Sequence, residues 1–89
     1  MGRLVCVPLR PMFSNANTIA RRLHAVGRLK DTTEEIPYFD FVLLQIKDSM
    51  PKGVDGGTQT SLAKSAPPGC KEDLLEGGYD LVLQHAGKL

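Results

Sequence analysis

Apolar and polar positions divide the chain into short blocks. Residues 3–7 (RLVCV) form an apolar run with β-branched members, closed by Pro8 and Pro11. Too short for a helix and bounded by breakers, the run predicts a buried strand. Ser14, Asn15 and Asn17 then offer N-cap oxygens. Ile19, Leu23 and Val26 follow at i, i+4 and i+7, with Ala16 and Ala20 beside them. That spacing predicts an amphipathic helix with Arg21, Arg22 and Arg28 facing away and Gly27 ending it. Residues 30–37 are polar and read as a loop. Residues 39–46 (FDFVLLQI) are the most hydrophobic block, and positions 41–44 are continuous rather than alternating. A continuous run suits a strand covered on both faces. Residues 49–61 and 65–69 are rich in Gly and Pro and read as loops. Residues 70–76 predict a short helix closed by Gly77 and Gly78, and residues 79–83 (YDLVL) a third strand.

Strands alternating with helices argue for a parallel α/β sheet with right-handed crossovers. The chain has 89 residues, enough for one domain. A chain of this length buries a modest share of its surface, which predicts marginal stability. It contains no internal repeat and no apolar run long enough to cross a membrane as a helix.

Composition narrows the function classes. With 42% hydrophobic residues, 24% charged residues and a net charge of +1, no bulk electrostatic case exists for nucleic acid or an anionic membrane. The charge is uneven: residues 1–30 carry Arg3, Arg10, Arg21, Arg22, Arg28 and Lys30 and no acid, while all ten acids lie from Asp31 onward. An acid-free, Arg-rich start fits a mitochondrial transit segment, and equally a strand followed by a basic amphipathic helix. Cys6 and Cys70 form no CxxC pair, so a reduced, cytoplasmic compartment is the default expectation. His24 and His85 with the two cysteines lack the spacing of a zinc site. Asp40 and Asp80 each open a predicted strand and read as solvated.

The segment FDFVLLQIKDSMPKGVDGG carries a resemblance. It resembles the central strand and following loop of the receiver domain of two-component response regulators. That family reads roughly Tyr-Asp-Leu-Val-Leu-Met-Asp-Ile-x-Met-Pro-x-x-Asp-Gly. Phe39, Asp40, Val42, Leu43, Leu44, Ile46, Met50, Pro51, Asp55 and Gly56 fit it. RLVCV with SNANTIARRLHAVG is similar to the first strand and helix of the family. KEDLLEGGYDLVLQHAGKL is similar to its closing part. The resemblance implies one receiver-like domain over residues 1–89, shortened between 28–38 and 58–77. The implied fold is a flavodoxin-like three-layer α/β sandwich with a reduced parallel sheet.

The departures fall on the chemistry. Where the family presents its phosphoacceptor aspartate, this chain has Gln45, an amide that cannot act as the nucleophile. The two acidic positions that hold Mg²⁺ in the family are Pro8 and Leu9, and the lysine position is His85. The loop motif keeps Met50, Pro51, Asp55 and Gly56. Ser61 and Ser65 are candidates for the switch hydroxyl, and Asp48 for a displaced acceptor. The resemblance therefore implies a degenerate receiver: no catalytic residue, no metal, no cofactor, and action by protein–protein contact. The implied partner is a histidine kinase or an output domain, with no nucleic acid and no membrane.

A second resemblance joins the two ends of the chain. RLVCVPLRP with an ARRL helix, and YDLVLQHAG, are similar to segments of two-domain nucleotide-sugar glycosyltransferases. That implies a fragment of a sugar-transferring enzyme, with a uridine nucleotide near His85 and Gly87.

Overall fold

A computed structural model describes residues 3–29, 32–49 and 56–86. A two-residue strand β1 (Leu4–Val5) leads into one helical turn α1 (Leu9–Met12) and the long helix α2 (Ala16–Leu29). Pro8 and Pro11 do not prevent α1, because a helix's first turn has backbone N–H groups with no intrahelical partner to lose. Helix α2 begins as expected: the Thr18 backbone N–H donates to Asn15 Oδ1 at 3.0 Å, an N-cap bond. Ile19 and Val26 are buried and Leu23 packs against the core. Gly27 does not end the helix, which continues to Leu29.

Strand β2 (Ile36–Pro37) replaces part of the expected loop and pairs with β1 in parallel, Leu4 opposite Ile36 and Val5 opposite Pro37. The Ile36 N–H donates to the Arg3 carbonyl at 2.8 Å. Among the described residues this two-stranded ribbon is the whole sheet. The flavodoxin-like expectation is therefore overturned: the molecule is mostly helical.

Both remaining strand expectations become helices. Residues 39–46 lie in α3 (Tyr38–Ser49), and residues 79–83 in α6 (Tyr79–Ala86). The reason for α3 lies in a period masked by the apolar run. Its buried residues Tyr38, Phe39, Val42, Leu43 and Ile46 recur at one face of a 3.6-residue repeat. Phe41, Leu44 and Gln45 flank that face half-buried, and Lys47 and Asp48 are exposed. Likewise Tyr79, Val82 and Ala86 are buried on α6, while Asp80 and Gln84 are exposed. The expected loop over 49–61 is a helix in its last part, since α4 (Gly56–Ser65) buries Leu62 and Ala63. Residues 50–55 lie outside the described residues.

Helices α2, α3 and α6 pack on one another, with β1 and β2 against α3. Phe13 meets Phe39 edge-on, with ring centroids 6.3 Å apart, and Tyr38 meets Phe39 at 5.6 Å. Such edge-to-face contacts add to the apolar burial. The Tyr38 hydroxyl donates to the Leu62 carbonyl and ties α3 to α4. Burial pushes the Tyr38 hydroxyl pKa up, partly opposed by a hydrogen bond with Ser65.

Two polar expectations are corrected. Asp40 is fully buried rather than solvated, and Arg22 turns toward it rather than away. The guanidinium donates twice, Nε to Oδ1 at 3.2 Å and Nη2 to Oδ2 at 3.0 Å. This forked geometry satisfies both carboxylate oxygens, which a buried acid requires. Burial still raises the Asp40 pKa, against the lowering effect of the Arg22 charge and its hydrogen bonds.

The cysteines are also corrected. Cys6 and Cys70 form a disulfide across 64 positions of sequence, with Cα atoms 5.5 Å apart. The bond joins the end of the β1 segment to the start of α5 (Cys70–Asp73). Residues 3–29 thus carry half of a disulfide and four core side chains, Leu9, Phe13, Ile19 and Val26. A transit segment cleaved after residue 30 would remove all of them.

Candidate functional site

The receiver-derived positions do not assemble. Gln45 is half-buried within α3 instead of standing at a strand tip. Gly56 opens α4, while Met50, Pro51 and Asp55 lie outside the described residues. His85 sits near the end of α6, half-buried, and its Nδ1 finds no hydrogen-bond partner among the described residues. Gly87, close to it in the glycosyltransferase-like segment, lies outside the described residues. Ser65 donates to the Leu62 carbonyl at 3.0 Å, a bond internal to the end of α4. Ser61, Asp48 and His24 are exposed on their helices.

Pro8 and Leu9 do meet a concave surface, for a different reason. They form one wall of a cleft of about 500 Å³ whose other wall is Asp73, Glu76, Gly77, Gly78 and Leu81. The second wall is made by a break in the backbone. Past α5 the backbone kinks between Leu74 and Gly78, leaving helical geometry at Glu76 and at Gly77, where φ is +113°. A side chain is strained at that φ, so glycine is the residue that can close α5 and let α6 start in a new direction. This is the stop expected at Gly77 and Gly78. At Gly78 a Cβ would lie 2.6 Å from the Asp73 carbonyl oxygen and 3.3 Å from Leu9 Cδ2. The missing side chain lets the backbone approach both its own preceding turn and the α1 wall.

The chemistry of the cleft is simple. Asp73 and Glu76, three residues apart, are its two acidic residues. Pro8, Leu9 and Leu81 supply apolar surface. Among the described residues no Ser, Cys, His or Lys lines it, so they give it no hydroxyl, thiol or amine nucleophile and no histidine base beside one. Nor is any group of three or more His, Cys, Asp or Glu among the described residues placed to hold a metal ion. Also among the described residues, no helix is long and apolar enough to cross a membrane.

The pairing of Pro8–Leu9 with residues 73–81 joins parts of the chain about 65 positions apart, and no local spacing announces it. The one legible signal is the Gly77–Gly78 stop. No family model matches the chain, and neither a curated protein nor a solved structure matches it.

Proposed function

We propose that the chain is a non-enzymatic binding domain whose cleft takes a basic side chain of a partner protein. The observation that carries this is the composition of the cleft: two carboxylates beside an apolar wall of Pro8, Leu9 and Leu81. Lysine and arginine have that same division, an apolar stem with a charged head, so one such side chain can satisfy both parts at once. A volume of about 500 Å³ is within the range of small-ligand pockets and leaves room for neighbouring peptide atoms. The main buried charge elsewhere, Asp40, is already paired with Arg22 and offers nothing to a ligand.

A receiver needs a phosphoacceptor position at a strand tip, and position 45 lies in a helix, so action through a phosphorelay has no geometric support here. Protein–protein contact is the part of that expectation we retain. The disulfide supports an oxidising compartment rather than the cytoplasm, because cytosolic thiols are kept reduced.

The test is a titration of the isotope-labelled chain with an acetylated, amidated Gly-Arg-Gly peptide, followed by NMR. Shifts should cluster at Leu9, Asp73, Glu76, Gly77, Gly78 and Leu81. They should vanish in the double variant Asp73→Asn, Glu76→Gln and weaken as salt screens the carboxylates. Absence of any response at millimolar peptide, or an equal response in the double variant, refutes the proposal.

A further inference from the structure

The disulfide joins the two chain segments that carry the cleft walls. Cys6 lies two residues before Pro8, on the first wall, and Cys70 three residues before Asp73, on the second. The bond therefore fastens the two walls to each other. Apart from the bond, the first wall is attached among the described residues by a two-residue parallel strand, the Ile36–Arg3 hydrogen bond and the packing of Leu4, Leu9, Met12 and Phe13 against the core. The second wall is anchored deeply, since Leu74, Tyr79 and Val82 are all in the core. The two cysteines also differ in access: Cys6 is an exposed residue and Cys70 is fully buried. Gly69, at φ +91°, would place a Cβ 3.8 Å from Cys6 Sγ, so the backbone before α5 packs against the bond from that side.

We infer that thiol–disulfide exchange at Cys6–Cys70 controls the cleft, with the oxidised form binding and the reduced form released. The inference rests on the cleft being the binding site, and it adds its regulation. The reductant is a dithiol. One thiolate of the dithiol attacks the sulfur of Cys6, the more exposed residue of the pair. A mixed disulfide forms there, the Cys6–Cys70 bond breaks, and Cys70 leaves as a thiolate that takes a proton. The second thiol of the reductant then loses its proton and attacks the mixed disulfide. Cys6 is released as a thiolate, which is protonated, and the dithiol departs as a cyclic disulfide. Two electrons have passed to the protein, which now holds two thiols. The segment from β1 to α1 is then held only by its short ladder and apolar contacts. Its first part, residues 4–8, is half-buried or exposed, and segments of that kind open at lower free energy than the core.

The experiment compares the full chain before and after treatment with dithiothreitol, using two readouts. Amide hydrogen exchange should rise at least tenfold at the ladder residues Val5 and Ile36 on reduction and stay slow at Val42, Leu43 and Ile46. The affinity of the Gly-Arg-Gly peptide should fall at least tenfold and return on reoxidation. The Cys6→Ser variant should behave as the reduced form without added dithiol. Unchanged exchange at Val5 and Ile36 overturns the inference. So does loss of protection throughout α3, which would make the bond a staple for the whole fold. Loosening confined to the first wall, with no peptide bound by either form, supports the hinge and refutes the basic-peptide reading.

Discussion

Helix α3 and the chain from Cys70 to Ala86 use similar apolar words, FDFVLL and YDLVL, yet are built differently. Helix α3 is continuous over twelve residues and buries a full face. It spends its one buried acid, Asp40, on Arg22, and its Tyr38 hydroxyl on α4. Both strong polar groups along its buried side have partners within the fold. The second segment is interrupted. Gly77 breaks it, Leu75 is left 53% exposed, and the carboxylates of Asp73 and Glu76 face a cleft rather than a buried cation. Continuity serves packing, and the break leaves polar groups for something else to meet.

The sharpest way to press that difference is to truncate one apolar side chain in each region. Phe39→Ala removes a fully buried ring that contacts both Phe13 and Tyr38. Its cost should be about 3–5 kcal/mol in urea unfolding. Leu75→Ala should cost less than about 1 kcal/mol, because much of that side chain already faces water. Equal costs would mean that the two regions do not differ in packing as described.

The Arg22–Asp40 pair gives the next effect. Arg22 is itself 36% exposed, so the pair falls between surface and buried cases. Arg22→Met should cost about 2–3 kcal/mol at pH 7. The direction with pH follows from burial, which raises the Asp40 pKa in the folded chain. The native state then holds this proton more tightly than the unfolded chain does. The contribution of Asp40 to stability is greatest below its unfolded pKa and declines as pH rises through the raised folded value. The loss in Arg22→Met should therefore shrink on acidification, as Asp40 takes up its proton. In Asp40→Asn this part of the pH dependence should disappear from the unfolding midpoints. A loss in Arg22→Met that grows toward acid would contradict the assignment.

Two glycines supply the smallest effects and opposite signs. Gly77→Ala places a side chain at φ +113° and should destabilise by about 1–2 kcal/mol. Gly27 lies inside α2, and a Cβ there would meet nothing within 4 Å, so Gly27→Ala should stabilise by about 0.5–1 kcal/mol. Thermal unfolding of both variants checks the pair. Matching signs would show that the break at Gly77 is not a special conformation.

Legibility in the sequence follows the range of the interaction. Helix α2 is readable because its cap, its 3.6 period and its polar face are all local to one stretch of chain. The stop at Gly77 is readable because glycine has a local conformational meaning. Residues 39–46 and 79–83 mislead because short apolar runs fit a covered strand as well as a buried helix. Taking Tyr38 and Ile46 into one span favours the helix, since an apolar face recurring at i, i+1, i+4, i+5 and i+8 has no strand period. The disulfide and the cleft are not readable, because each joins positions more than 60 apart that carry no shared pattern. The orientation of Arg22 is hidden for the same reason: its partner Asp40 lies on the next helix.

Cys6 and Cys70 close a covalent ring that contains all of α1, α2, α3 and α4. A protease that cuts the backbone once anywhere between them produces two pieces that cannot separate. The nicked chain would gain the mass of one water and still travel as a single species until a reductant is added. During synthesis the ring cannot close before residue 70 has left the ribosome, so every helix it encloses emerges while both thiols are still free of each other.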